Sequence, residues 1–299
     1  MQVAYESAEQ SETSHVTAIP FINLDPRDLS TIYTALSFAV RECNKSNQRS
    51  CIVTFYQPLY IKAAQVVASC EAELDIVTVR LGGFHLLMSY MGAVGYIMSG
   101  SGLEEVWGLV YAKASVTHMT SGHAYSRALR AQFITQLALG IILLQSCPTL
   151  DDSVCDNISS LHAELLSHGT SVYEIIEQTS LAIAVEALEA AYKDAEKATR
   201  TGKLWIQYFR QVSLMREYIR AKQSGDWQLH LHCVSLMIPH FHAAGHLQYA
   251  KCAHLYLQQL NLLSEKISPD EYQKFDLSGY FTNQTQQSLL EWSLDGYNN

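Results

Sequence analysis

Two short apolar, β-branched runs constrain this chain more than anything else in it. They are CIVTF at 51–55 and DIVTVRL at about 75–81, and each leads through turn residues into a helical pattern. The first passes through Tyr56, Gln57 and Pro58 into an apolar periodicity from Leu59 to Cys70, and the second through Gly82 and Gly83 into a helix from Phe84 onward. Strand, turn, helix, strand, turn, helix is the order that sets two strands side by side in parallel, because the connection must carry the chain back to its starting edge. The expected fold class is therefore α/β or α+β, predominantly helical, with a small parallel sheet near the N-terminus and a large helical region. A third strand could come only from VTAIPFINL at 16–24. Ligand sites in such sheets lie beyond the C-terminal ends of the strands. Here those ends carry Tyr56, Gln57, Gly82, Gly83 and His85, which are the candidate binding residues.

Beyond residue 100 the strand signals fade. Helical patterns are expected at about 102–113, 121–147, 152–167, 170–200, 201–223, 226–241, 245–263 and 268–275, with the last hairpin broken near Pro239 and Gly245. Upstream, Asp25 is placed to cap a helix with Pro26 in its first turn and Ile32, Leu36 and Val40 on one face. This organisation implies a disordered tail over 1–15, an α/β region over 16–150 and a helical region over 151–299. Leu81–Leu103 and Ala131–Leu150 each reach the length of a membrane span without a formal charge. Their polar residues and the lack of a basic flank favour buried helices instead, so no membrane partner is expected.

The formal net charge of −9 comes without an acidic tract and argues against a broad nucleic-acid surface, which needs clustered Lys and Arg. The seven Cys form no CxxC pair and suit reduced thiols of an intracellular protein. No signal peptide is visible. Six of the twelve His fall between 230 and 254, and His242 and His246 stand four apart. Gly245 interrupts that pair and no HExxH motif frames it, so no metal site is assigned. The GGFH turn could offer backbone N–H groups to an anion, or serve only close helix–sheet packing. No nucleophile elbow, GxGxxG or GK[ST] element is present, and no catalytic residue is assigned.

The phrases TFYQPLYIKA, RLGGFHLLMSYMGAVGYIMSGSGLEEV, GHAYSRALRA and HAAGHLQYAKCAHLYLQQL make the chain similar to a poorly characterised invertebrate protein family. That family has many copies per genome and is often associated with mobile elements; the resemblance covers most of 17–282. Its members usually read TFDQPL where this chain has Thr54-Phe55-Tyr56-Gln57-Pro58-Leu59. An acid at that strand end would suit a ribonuclease-H-like transposase core holding two divalent metals, a job Tyr56 cannot do at neutral pH. The family also continues beyond GYFT (279–282) into a basic stretch, where this chain reads NQTQQSLLEWSLDGYNN, so it resembles a truncated member. The resemblance implies an uncharacterised, mobile-element-derived protein that is catalytically inactive, needs no cofactor and keeps binding as any remaining activity. Nucleic acid is a partner by resemblance, although the charge does not support it. The alternatives are a divalent-metal-dependent transposase or nuclease core, and a helical protein-interaction module over 170–265.

Overall fold

A computed structural model of the chain describes residues 22–145, 156, 159, 160, 163, 179–270 and 272. The protein is mostly helical with one small parallel sheet, the α/β class expected. Its described residues divide into two compact units, one within 130–212 and the other within 22–129 and 213–272.

The larger unit opens with α1 (Leu29–Lys45), β1 (Cys51–Phe55), α2 (Gln57–Ser69), β2 (Val77–Leu81) and α3 (Gly83–Ile97). Helix α1 starts three residues later than Asp25 would imply. The Asp25 carboxylate accepts from the Arg27 backbone N–H at 2.9 Å, and its carbonyl accepts from the Asp28 N–H, so Asp25-Pro26-Arg27 forms a turn and Asp28 becomes the N-cap. Strands β1 and β2 are parallel neighbours, in register from Cys51 opposite Val77 to Phe55 opposite Leu81. Strand β2 begins at Val77, because the Val77 N–H is already bonded to the Leu74 carbonyl in a turn. No third strand joins them among the described residues; residues 22–24 of the candidate segment are irregular and 16–21 lie outside those described.

The charge-free stretch after β2 is core. Helix α3 buries Leu86, Leu87, Tyr90 and the run from Met91 to Gly95. Its Gly95 faces the end of α5 (Lys113–Thr120) so closely that an added β-carbon would strike the Thr120 carbonyl, and one at Gly92 would lie 2.9 Å from the Ser121 carbonyl. The short helix α4 (Leu103–Gly108) precedes α5. The expected helix over 102–113 is thus the short α4 and the turn after it, with α5 beginning at Lys113.

Helix α6 (Tyr125–Gln145) and α8 (Arg200–Ser224) each span the division between the units, and α7 (Thr179–Ala198) lies within the smaller one. Expected helices at 152–167 and 268–275 fall largely outside the described residues. In the smaller unit Phe209 is central. Its ring meets Tyr192 of α7 at 5.6 Å, its backbone carbonyl accepts from Gln136 Nε2 at 3.0 Å, and Gly140 of α6 lies against the ring. Among the described helices, α6 is long and apolar enough to cross a membrane. Many of its aliphatic residues are not buried as the composition suggests: Ile134, Leu137, Ile141 and Ile142 are exposed, while Leu143 is buried together with Gln132, Thr135 and Gln136.

The larger unit closes with α9 (Trp227–Ala243), α10 (Leu247–Asn261) and the short α11 (Leu263–Lys266). The Asp226 carboxylate caps α9 by accepting from the Leu229 N–H at 2.9 Å. Helix α9 runs through Pro239 rather than breaking there. Pro239 and Ser235 are both exposed, so the carbonyl that loses its donor stays in water. The break comes at Gly245, whose φ of +72° suits glycine, and the His246 N–H closes the turn onto the Phe241 carbonyl at 2.8 Å.

Candidate functional site at the sheet edge

Both crossover helices start at the same edge of the sheet. Tyr56 is the N-cap of α2, with Pro58 in its first turn, and Gly82 is the N-cap of α3. The Gly82 N–H donates to the Phe55 carbonyl at 2.8 Å, extending the ladder one step past the strands and locking the two turns together. This brings the half-buried rings of Tyr56 and His85 to 5.9 Å between centroids. The row continues: His85 meets Phe84 at 5.7 Å, and Phe84 meets Tyr125 at 4.7 Å. All five candidate residues therefore sit at one sheet edge.

They do not all face open space. Gln57 lies beside the Cys252 thiol on α10. Gly83 is buried beneath α8: the Tyr218 hydroxyl donates to the Gly83 carbonyl at 3.2 Å, and a β-carbon at Gly83 would collide with Lys222 Nζ and lie 2.7 Å from Tyr218 Oη. Glycine there leaves room for the end of the lysine side chain. The ammonium of Lys222 thus lies at the first residue of α3, where the helix dipole is already positive. Two sources of positive potential therefore meet at Gly83, the first residue of α3.

Behind the edge lies a buried aromatic group that no local motif announces. Arg80, in β2 and buried, places its guanidinium 6.0 Å from the Trp227 ring centre. Trp227 stacks on His230 at 5.5 Å, and Tyr218 lies 5.2 Å from the same imidazole. His230 Nε2 is 3.3 Å from the Tyr256 hydroxyl, and Tyr256 packs edge-on against Tyr60, whose own hydroxyl donates to Gln259 at 2.7 Å. Burial first, then the positive charges of Arg80 and Lys222, hold the His230 pKa well below the ordinary imidazole value. His230 is neutral at physiological pH and supports the edge from within.

The other histidine candidate comes apart. His242 is exposed at the end of α9, whereas His246 caps α10 and holds its Nδ1 3.0 Å from the Ser89 hydroxyl. Among the described residues no group of three or more His, Cys, Asp or Glu could hold a metal ion. Arg80, Tyr218, Lys222, Trp227 and His230 are residues that sequence reasoning missed. Only the single charge inside β2 hinted at them, since an arginine in a buried strand requires a partner.

No curated protein and no solved structure matches this chain. Residues 1–293 match the model of a family described as "Domain of unknown function (DUF8702)", and the chain belongs to that family.

Proposed function

We propose that this chain is a catalytically inactive, mobile-element-derived protein whose remaining activity is binding at the sheet edge. The observation that carries the reading is the meeting of Tyr56 and His85 at 5.9 Å at the strand ends, with the Lys222 ammonium held against Gly83 at the start of the same helix. Two divalent metals need carboxylates on neighbouring elements, and Tyr56 stands where one would serve. A phenol, an imidazole and an ammonium at the positive end of α3 suit the opposite charge. The ligand class that fits is planar and anionic, with its flat part against the Tyr56–His85 pair and its negative group toward Lys222. Nucleotides belong to that class, which agrees with nucleic acid as the partner implied by the resemblance and does not require a broad basic surface.

The test is a titration of the full chain with nucleoside monophosphates, followed through the ring resonances of His85, together with a nuclease assay in Mg²⁺ and Mn²⁺. Saturable movement of the His85 signals, weakened by Lys222→Met, is expected, with no metal-dependent cleavage. Metal-dependent cleavage of DNA would overturn the inactive assignment. Unmoved His85 signals across the series would overturn the binding one.

A further inference from the structure

Helix α6 is amphipathic in the opposite sense to a helix facing water. From Arg130 onward its polar side chains Gln132, Thr135 and Gln136 are buried in the smaller unit, while Ile134, Leu137, Ile141 and Leu144 stand 53, 66, 48 and 46% exposed. Successive steps of three, four and three residues set these four aliphatic side chains in one line, the a and d spacing of a coiled-coil seam. Ala138, which is exposed, flanks the line, and its small size lets another helix approach closely. A contiguous apolar line on the outside, with amides on the inside, marks a contact surface rather than a solvated face.

The charges decide what covers it. A lipid surface fits poorly: the chain carries a formal net charge of −9, and helix α7 of the same unit exposes Glu189 and Lys193 as an ion pair. A second copy of this chain fits in one orientation. The next position of the seam toward the N-terminus is the exposed Arg130. In a parallel pair the two arginines would face each other. In an antiparallel pair Ile134 meets Leu144 of the second copy, Leu137 meets its Ile141, and the two arginines stand at opposite ends of the seam. The seam is complementary to itself in that arrangement alone. The geometry points to a two-fold, antiparallel contact between the α6 helices of two copies of this chain.

Sedimentation velocity of the full chain across a concentration series tests this, with circular dichroism to monitor folding. The wild type is expected to dimerise, Leu137→Met to behave like it, and Leu137→Glu to associate at least about tenfold more weakly; Leu137 is exposed, so the fold is retained. A wild type that stays monomeric at roughly 100 µM, or a dimer indifferent to Leu137→Glu, overturns the contact. A dimer strengthened by salt overturns the antiparallel orientation. A monomer that binds phosphatidylcholine vesicles, and loses them on Leu137→Glu, assigns the seam to lipid and overturns the proposal.

Discussion

His230 should make the stability of this protein depend on pH in a defined window. The imidazole is 1% exposed, stacked on Trp227 and crowded by Tyr218, with its protonated form disfavoured by burial and then by Arg80 and Lys222. In the unfolded chain the same group takes up its proton near pH 6.5. The folded pKa is depressed, so the contribution is fully present above about pH 6.5 and is lost progressively as pH falls toward the folded value. Over that span the unfolded state binds one more proton than the native state. This gives a slope of at most roughly 1.4 kcal/mol per pH unit, and so up to about 2 kcal/mol between pH 7.5 and 5.0. His230→Phe keeps a ring against Trp227 and removes the titration. Urea unfolding at the two pH values, followed by tryptophan fluorescence, should show the variant losing up to about 2 kcal/mol less than the wild type on acidification. His240, half-buried on the same helix and shifted in the same direction, contributes equally to both proteins and cancels from the comparison. Equal acid losses in the two proteins would refute the assignment of His230 as a buried neutral base.

Two further outcomes follow from packing and burial. Gly95→Ala adds a β-carbon against the Thr120 backbone and should destabilise by roughly 1–3 kcal/mol, whereas Gly140→Ala meets only the Phe209 ring at 3.6 Å and should gain up to about 1 kcal/mol in helix propensity; chemical denaturation giving both changes the same sign would disprove this account of the α3–α5 contact. Among the described cysteines, Cys51 and Cys233 have thiols pushed by burial to about 12 and about 11, so iodoacetamide at pH 8 with mass spectrometry should label the half-exposed Cys43 and Cys70 first. Early labelling of Cys51 would contradict its burial.

The sheet and its edge were legible because their determinants are local. CIVTF and VTVRL carry their own β-propensity, and Pro58 and the Gly82–Gly83 pair punctuate the turns, so strand pairing and the meeting of Tyr56 with His85 follow from nearby residues. The covering of that edge was not legible. Lys222 and Tyr218 reach Gly83 from a helix more than a hundred residues away, and nothing near Gly83 encodes that contact. Helix α6 misled for a different reason. Its composition is that of a buried helix, and only the burial of Gln132 and Gln136 shows that the aliphatic face points outward. Asp25 and Pro239 carried correct signals for a turn and a helix breaker, but the first was spent one turn early and the second fell on a solvated face.

The link between Tyr60 and Gln259 joins residues 199 positions apart, and that between Tyr218 and Gly83 joins residues 135 apart. A growing chain exposes the strands and the first turns long before α8 and α10 exist to cover them. At about 5–20 residues per second, the interval between synthesis of Tyr60 and of Gln259 is roughly 10–40 s. Throughout that time β1 and β2 present apolar surface and unfinished edges to any other chain nearby. The distance along the chain between a strand end and its cover makes the last sixth of the sequence, from α10 on, the step at which a nascent molecule becomes safe from its neighbours.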